Sequence, residues 1–409
     1  MNRRELLKTL GVLGVGRALL PGLAANLAFA AEPAEERDVL VVIFQRGGAD
    51  GLSLVVPYAE GGLYYDRRPS LAVPEPGRQG GGLDLDGRFA LHPRLAPLHE
   101  LYREGALAIV HAAGSPSETR SHFDAQQYME TGTPGVKNTS SGWLGRHLAL
   151  TAARNGSPFR AVGMGDVVAD SLLGPVTPLA LRSIAEFHLE GRDGEWPRMQ
   201  RALRRLYAGG GALDPVARSV YSSLEVLTQV ARQPAGDGYP DDPLGRGLEQ
   251  VARLIKAGVG LEVATVDSDD WDTHEDQGTL QGGFADNAAS FARALHAFWA
   301  DLGSLAQRVT VVAMTEFGRR VEENASAGTD HGHGGVMWLL GGGVRGGRVY
   351  GRWPGLAPQA LDRGDLAVVN DFRDVLAELV SKRLDDPDVQ QVFPGHQPRP
   401  LGIFEEAMG

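Results

Sequence analysis

The sequence contains no cysteine. This absence excludes disulfide bonds, thiolate zinc sites and cysteine nucleophiles, so any metal ion must be bound by oxygen and nitrogen ligands. The sequence also has no excess of basic residues. Among 409 residues, 51 acidic side chains outnumber 40 basic ones, and the formal net charge is −11. A chain this acidic is not expected to bind nucleic acid or an anionic membrane.

A long apolar run is found only near the N-terminus, within the three zones of an export signal. Arg3 and Arg4 precede a mostly apolar stretch from Leu10 to Leu27, and Ala28-Phe29-Ala30 follows with small residues where a signal peptidase reads. Proline, glycine and arginine inside the stretch disfavour a stable membrane span. We therefore expect residues 1–30 to be a removable signal for the twin-arginine translocase, which places the protein in the periplasm or outside the cell. An ordinary secretory signal or an uncleaved anchor is the alternative.

The rest of the chain has the pattern of an α/β domain, expected over residues 36–405. Short runs rich in valine and isoleucine predict buried strands of a mostly parallel central sheet. These runs are Val39–Phe44, Leu107–His111, Gly260–Val266, Val309–Thr315 and Val336–Leu340. Segments with helical spacing lie between them, so we expect helices on both faces of the sheet. Residues 168–246 are charged and rich in loop signals, and they predict a helical insertion or cap.

The candidate reactive residues follow the predicted strands or flank the last one. Ligands of open α/β sheets bind outside the carboxyl ends of the strands, so these residues are expected to converge. Asp50 follows the first strand, in a glycine-containing turn. It is either a metal carboxylate or a turn residue of the Asx type.

A second group follows the second predicted strand, where a helix should begin. Ser121 is well placed as the N-cap of that helix, with Asp124 at the capping-box distance. The same position suits a nucleophile, because helix N-termini stabilise anions. Arg120 could pair with a bound phosphate or sulfate, and His122 is a further catalytic candidate.

The loops after the third and fourth predicted strands carry further candidates. Asp272 and His274 are two residues apart in an extended segment, so both side chains can reach one ion; a solvated acidic loop is the alternative. Glu316 could be a metal ligand or a general base, and Arg319 could bind an anion. A Glu316–Arg319 pair that only holds the loop remains open.

A glycine-rich loop before the last predicted strand contains Asp330, His331 and His333. Imidazole and carboxylate groups together suit zinc, manganese or iron better than calcium alone. We expect a divalent metal ion here, with its identity left open among zinc, manganese and calcium.

Several of these segments together resemble a bacterial family, the Domain of Unknown Function 1501 family, over nearly the whole mature chain. They are Arg46-Gly47-Gly48-Ala49-Asp50-Gly51-Leu52, Arg120-Ser121-His122-Phe123-Asp124-Ala125-Gln126, Trp271-Asp272-Thr273-His274, Thr315-Glu316-Phe317-Gly318-Arg319 and Thr329-Asp330-His331-Gly332. The family is similar in fold to the alkaline phosphatase and sulfatase superfamily. The resemblance implies a nucleophile at a helix start and one or two metal ions that hydrolyse phosphate or sulfate esters.

Carried over by position, the resemblance makes Asp50 the first metal carboxylate and Ser121 the nucleophile. Asp272 and His274 would serve one ion, and His331 or His333 would complete the set. Two departures are visible. Glu316-Phe317 stands where the phosphatases place an Asp-His pair, and Asp272 and His274 are closer in sequence than their counterparts. A single-ion site, or a site without hydrolytic activity, is therefore left open.

The leading hypothesis is an exported metal-dependent hydrolase of phosphate or sulfate esters, acting on a small-molecule or glycan ester. Ser121 would attack, and Arg120 would neutralise the equatorial oxygens. The alternative is a non-catalytic exported binding or assembly protein on the same scaffold. A hydrolase that uses Ser121 with a histidine base ranks lower, because the nucleophile-elbow glycines are missing.

Overall fold

The computed structural model describes residues 38–151, 157–184, 226–386 and 388–406, with Arg198, Arg201, Ala202, Arg205 and Leu224. Almost all of them belong to one compact unit made of Pro33–His188 and Val226–Gly409. The predicted export signal lies outside the described residues, as does much of the predicted insertion. Within the described part of the chain, no helix has both the length and the apolar character required to cross a bilayer.

The described residues form twelve strands in two sheets. They are β1 (Val39–Gln45), β2 (Val55–Val56), β3 (Leu83–Asp84), β4 (Ala90–Leu91), β5 (Leu107–Gly114), β6 (Ala161–Met164), β7 (Leu179–Leu181), β8 (Val263–Ser268), β9 (Val309–Thr315), β10 (Gly335–Gly341), β11 (Arg348–Tyr350) and β12 (Asn370–Asp371). The main sheet has the order β11-β5-β10-β9-β1-β8-β6-β7, with β12 also paired to β5. The small antiparallel sheet has the order β2-β4-β3.

One strand of the described main sheet runs against the others. β10 is antiparallel to β5 and to β9, whereas the remaining pairs are parallel. The prediction of a mostly parallel sheet is therefore confirmed, and the antiparallel strand β10 makes the sheet a mixed one. Because β10 is reversed, its first residues lie at the same edge as the carboxyl ends of β1, β5, β8 and β9. Loops from five distant parts of the sequence meet at that edge.

The central strands are buried on both faces, which explains their continuous apolar sequences. In β1 the side chains alternate between two hydrophobic clusters: Val41 and Ile43 pack on one face, Leu40 and Val42 on the other. The five predicted strands match β1, β5, β8, β9 and β10, and the largest differences are that β8 begins at Val263 and that β5 ends at Gly114. The shorter outer strands were not predicted, because three or fewer buried positions give no periodic signal.

Helices cover both faces of the main sheet, as predicted. They are α1 (Gly51–Leu54), α2 (Gly62–Tyr65), α3 (Ala96–Arg103), α4 (His122–Thr131), α5 (Trp143–Leu150), α6 (Pro243–Lys256), α7 (Gly283–Leu302), α8 (Phe372–Arg383) and α9 (Val389–Val392). Short 3₁₀ helices occupy Tyr58–Glu60, Pro93–Leu95, Asp170–Leu172, Gly303–Arg308 and Pro358–Ala360. Apolar residues of α3, α6 and α7 pack on one face, and those of α5 and α8 on the other.

The segment predicted as a helical insertion contributes one strand to the main sheet. β7 lies within residues 168–246 and pairs with β6 in parallel. Two of its three residues are only partly buried, so sequence alone did not distinguish this strand from a loop. The start of this segment thus belongs to the sheet edge.

His111 in β5 is a core histidine with 1 % exposure. Its Nε2 lies 2.9 Å from the Val55 carbonyl oxygen, and its Nδ1 accepts the Ala112 N–H at 2.7 Å. Both contacts fit the neutral ring. Burial lowers the pKa of His111 to about 4.

This pKa predicts a loss of stability in mild acid. The unfolded chain takes up the proton near pH 6.5, the folded protein only near pH 4. The stabilisation is therefore complete above pH 6.5 and is lost as the pH falls toward 4. We expect this residue to account for about 2 kcal/mol of the stability lost between pH 7.5 and 5. His111→Gln, which keeps a donor but does not titrate, should flatten the pH dependence of urea unfolding. Equal pH dependence in both proteins would contradict the prediction.

Candidate metal centre

Four side chains converge at the carboxyl edge of the main sheet. His122 begins α4, Asp272 and His274 follow β8, and His331 precedes β10. We call this group the histidine cluster. Its contacts are His122 Nε2 to Asp272 Oδ2 (3.5 Å), His274 Nε2 to Asp272 Oδ1 (3.0 Å), His331 Nε2 to Asp272 Oδ1 (3.4 Å) and His274 Nε2 to His331 Nε2 (2.9 Å). One ligand atom each of His122, Asp272 and His331 lies within 4.8 Å of the others.

The Nδ1 atom of each histidine in the cluster contacts an oxygen atom that lies outside the cluster. The Nδ1 atom of His122 lies 2.8 Å from Glu316 Oε1, and that of His331 lies 2.8 Å from the Arg120 carbonyl oxygen. His274 Nδ1 lies 3.4 Å from Asp330 Oδ1. Because every partner is an acceptor, the proton of each neutral ring is assigned to Nδ1. The three Nε2 lone pairs then face the cluster, as metal-binding histidines require.

Glu316 is a buried anion that orients His122. It has 1 % exposure and also accepts hydrogen bonds from the Gly47 N–H and from Gln126 Nε2, both at 2.9 Å. Burial alone would raise the pKa of Glu316, but donation from His122 and Gln126 outweighs burial and holds the pKa below its usual range. In turn, the hydrogen bond that His122 donates to Glu316 raises the pKa of His122. Glu316 therefore supports a candidate ligand and does not itself face the cluster.

Phe317 forms an apolar wall behind two of the imidazoles. Its ring centroid lies 4.9 Å from that of His122 and 4.8 Å from that of His331. The Glu316-Phe317 pair thus positions both rings, one residue by hydrogen bonding and the other by packing.

Asp272 and His331 have the charge states that a cation site requires. Burial lowers the pKa of His331, and Arg319 and the neighbouring imidazoles lower it further, so the ring is neutral. Burial would raise the pKa of Asp272, but the hydrogen bond and charge of Arg319 outweigh it and lower the pKa. The cluster therefore combines a carboxylate with neutral imidazole.

Arg319 joins the loops that carry the cluster, and its side chain is 0 % exposed. Nε donates to the Gly48 carbonyl at 2.7 Å, and Nη1 donates to the Thr329 carbonyl at 2.7 Å. Nη2 donates to the Gly47 carbonyl and to Asp272 Oδ1. All its nitrogens are engaged, so Arg319 holds loops together instead of binding an external anion. The close approach requires glycine at Gly47, where φ is +117° and a Cβ would lie 2.5 Å from the Asp272 nitrogen.

Asp50, predicted as a metal carboxylate, lies outside the histidine cluster. It is fully buried and forms an ion pair with Arg68 at 2.5 Å. Ser53 Oγ donates to Asp50 Oδ2 at 2.6 Å, and Gln277 Nε2 donates to the same oxygen at 2.8 Å. Burial would raise the pKa of Asp50, but Arg68 outweighs it and the pKa is lowered. Asp50 is thus the counter-ion of a buried arginine.

His333 and Asp330 also have roles around the cluster and not within it. His333 Nδ1 lies 2.7 Å from Asp362 Oδ2, and its Nε2 lies 3.0 Å from the Ser115 carbonyl oxygen. Both nitrogens are engaged, which leaves no lone pair for an ion. Asp330 anchors His274 from the side away from the cluster.

Arg120 and Ser121 lie at the rim. The Arg120 guanidinium pairs with Asp365 at 2.6 Å, while its carbonyl oxygen holds His331. Ser121 is exposed and is the N-cap of α4, with its Oγ accepting from the Asp124 N–H at 3.5 Å. The capping interpretation is confirmed, and a nucleophilic role for Ser121 stays a prediction.

Sequence reasoning had not assigned His122 to the metal ligands. The sequence did contain a signal for it. His122 lies in the first turn of α4, and α4 follows β5, whose carboxyl end lies at the edge of the main sheet where the cluster forms. A histidine there can reach the same point as the loops after β8 and before β10.

The cluster fits a divalent transition metal. His122 Nε2 is buried, and within the described residues no hydrogen-bond partner satisfies it. Three imidazole nitrogens and one carboxylate are a common donor set for zinc and also suit manganese or iron. The residues that would hold the ion are His122, Asp272 and His331, and His274, whose Nε2 lies 3.0 Å from Asp272 Oδ1 and 2.9 Å from His331 Nε2, would complete the set.

Comparison with known families identifies the chain. A family described as "Protein of unknown function (DUF1501)" matches residues 105–406. The chain belongs to this family. The matched residues include the whole histidine cluster, whereas Asp50 precedes them. No curated protein matches the chain significantly.

Members of the alkaline phosphatase superfamily are among the solved structures to which this DUF1501 protein is similar. A protein in that superfamily from Vibrio parahaemolyticus has 10 % identity and a TM-score of 0.38, over 93 % of this chain and 75 % of that one. The zinc complex of the C-terminal periplasmic domain of EcEptC from Escherichia coli has 9 % identity and a TM-score of 0.34, covering 76 % and 74 %. Alkaline phosphatase from the Antarctic bacterium TAB5 has 9 % identity and a TM-score of 0.28, covering 75 % and 93 %.

Arg319→Lys should destabilise the protein by more than about 3 kcal/mol, because a lysine leaves several buried carbonyls and Asp272 without donors. The neighbouring Arg320→Lys is the matched control, since Arg320 is 42 % exposed and donates to one backbone carbonyl. It should change the free energy of unfolding by less than about 1 kcal/mol. Urea unfolding measures both. Similar small losses for the two variants would contradict the role given to Arg319.

His331→Ala should reduce zinc affinity by at least about a hundredfold, because it removes a nitrogen that faces the cluster. His333→Ala removes a buried histidine two residues away and should retain stoichiometric zinc. Equilibrium dialysis with elemental analysis gives the zinc content of the folded fraction of each variant. Loss of zinc from His333→Ala alone would show that the ion lies elsewhere.

Proposed function

We propose that this protein is an exported, metal-dependent hydrolase of phosphate or sulfate esters. The observation that supports this most strongly is the convergence of three imidazole Nε2 atoms and the Asp272 carboxylate, with each imidazole held through Nδ1. Such second contacts fix ring orientation and tautomer, and they are typical of metal centres. When bound, a divalent ion would supply positive charge that stabilises the anionic oxygens of the reacting ester.

Ser121 is the proposed nucleophile. It lies between Arg120, whose carbonyl holds His331, and His122, which belongs to the cluster. Its hydroxyl is exposed at the start of the ten-residue helix α4. The backbone N–H groups at the start of α4 favour a nearby anion, such as the ester group.

The proposed reaction consumes one water molecule per ester. Ser121 Oγ attacks the phosphorus or sulfur atom and loses its proton. The bond to the leaving oxygen breaks, its electron pair stays on that oxygen, and the oxygen takes up a proton to give the alcohol. Water then attacks the phosphorus or sulfur atom of the seryl ester, the phosphate or sulfate is released, and Ser121 takes back a proton to return to the hydroxyl form. Glu316 and the Arg120 carbonyl keep His122 and His331 oriented throughout.

Export is part of the proposal, because the predicted signal at residues 1–30 would direct the protein to the twin-arginine translocase. That route carries folded proteins, so a divalent ion could be inserted before translocation. A small-molecule or glycan ester in the periplasm or outside the cell would then be the substrate.

The test is turnover of phosphate- and sulfate-ester panels by zinc- or manganese-loaded protein. Ser121→Ala should lower turnover by more than about a thousandfold, because it removes the nucleophile, while metal content stays unchanged. Ser117→Ala, in the same loop, is the control and should retain activity. Full activity of Ser121→Ala would assign the attack to water. Absence of any turnover by the metal-loaded wild type would favour the binding or assembly protein instead.

A further inference from the structure

A cleft of about 530 Å³ lies directly beside the histidine cluster and shares Asp272 with it. Its lining is strongly acidic. Besides Asp272, the carboxylates that line it are Asp242, Asp270, Glu275, Asp276 and Asp286. The volume falls within the range of small-molecule sites.

Three of these carboxylates are available to a ligand. Asp242 is engaged, because it caps α6 through the Gly245 N–H and accepts from Ser290. Asp286 pairs with Arg94 at 3.3 Å. In the part of the chain that the structure describes, the side-chain carboxylates of Asp270, Glu275 and Asp276 are exposed and have no hydrogen-bond or ion-pair partner. Repulsion among them would be relieved by a cation.

The loop that carries these carboxylates is held in place by backbone contacts. The Asp276 N–H donates to the Ser326 carbonyl and the Gln277 N–H to the Ala327 carbonyl, both at 3.0 Å. Asp270 and Asp276 adopt left-handed backbone conformations, with φ of +67° and +43°. The backbone of this loop is thus held in place, and its exposed carboxylates line the cleft.

The arginines around the cluster are already neutralised. Arg46 pairs with Glu130 and with Asp267, the latter at 2.9 Å. Arg120 pairs with Asp365, and Arg319 is engaged by carbonyls and by Asp272. An ester that carries only negative charge would meet repulsion from the cleft and no free arginine in this group.

We infer that the substrate carries an ammonium group, so that its anionic ester end lies at the histidine cluster and its cationic end lies in the acidic cleft. This inference rests on the proposed function. The charge pattern selects a zwitterionic ester, with Asp270, Glu275 and Asp276 as the residues that determine specificity.

The sharpest test uses two esters that differ only in charge. One is the zwitterion 4-nitrophenyl phosphocholine, and the other is 4-nitrophenyl 3,3-dimethylbutyl phosphate, an isostere whose tail is uncharged and which therefore carries only the negative charge of the phosphate. Zinc-loaded, full-length protein should show a kcat/KM about tenfold higher for the choline ester, from a few partly exposed charge pairs. In the triple variant Asp270→Asn/Glu275→Gln/Asp276→Asn, the two esters should have about the same kcat/KM. Asparagine tolerates the left-handed conformation, so the loop is retained.

The matched control is Glu100→Gln/Glu104→Gln/Asp385→Asn, which removes the same charge from exposed positions that do not line the cleft and also includes a residue of positive φ. It should keep the preference for the choline ester. Equal kcat/KM for the two esters in the wild type would overturn the inference while leaving the hydrolase intact.

A binding measurement separates this inference from the proposed function. Isothermal titration of the zinc-loaded protein with choline and with 3,3-dimethylbutanol should show at least about fivefold tighter binding of choline, lost in the triple cleft variant. If no ester of the phosphate and sulfate panels is hydrolysed either, the proposed function fails, and the choline titration alone decides the inference. Choline binding no tighter than that of the alcohol would overturn it.

Discussion

The structure at the sheet edge depends on one buried guanidinium group. Arg319 donates to the backbone carbonyls of Gly47, Gly48 and Thr329 and to the Asp272 carboxylate, so it connects the loops after β1, after β8 and before β10. A buried charge with this many partners is stabilising only when all are present, because each carbonyl left without a donor is costly. The histidine cluster is therefore a product of loop packing as much as of its own four residues.

A second constraint is the direction of β10. Because it is antiparallel to β5 and β9, the loop that carries His331 reaches the edge where the parallel strands end. The helix that starts with His122 reaches the same edge from β5. Acceptors outside the cluster then turn each imidazole so that Nε2 faces its neighbours. Topology brings the ligands together, and hydrogen bonds at Nδ1 give them a common direction.

The long strands and part of the histidine cluster could be predicted from the sequence. β9 matched its predicted bounds because both faces are buried, and Asp272, His274 and His331 were identified because polar residues after buried strands converge. The side chains that pair with Asp50 and His333 could not be predicted from the positions of polar residues after strands. Arg68 reaches Asp50 across a turn, and Asp362 reaches His333 from a loop near the end of the domain. Such contacts depend on side-chain packing, which has no periodic signal.

The most direct measurement of the central claim is X-ray absorption spectroscopy of the zinc-loaded, full-length protein. The account predicts one zinc ion with about three imidazole nitrogens and one carboxylate oxygen at roughly 2.0–2.2 Å. Multiple scattering from the imidazole rings would identify the nitrogens as histidine. A zinc ion surrounded by oxygen alone, with no imidazole signature, would contradict the assignment of the histidine cluster as a metal centre.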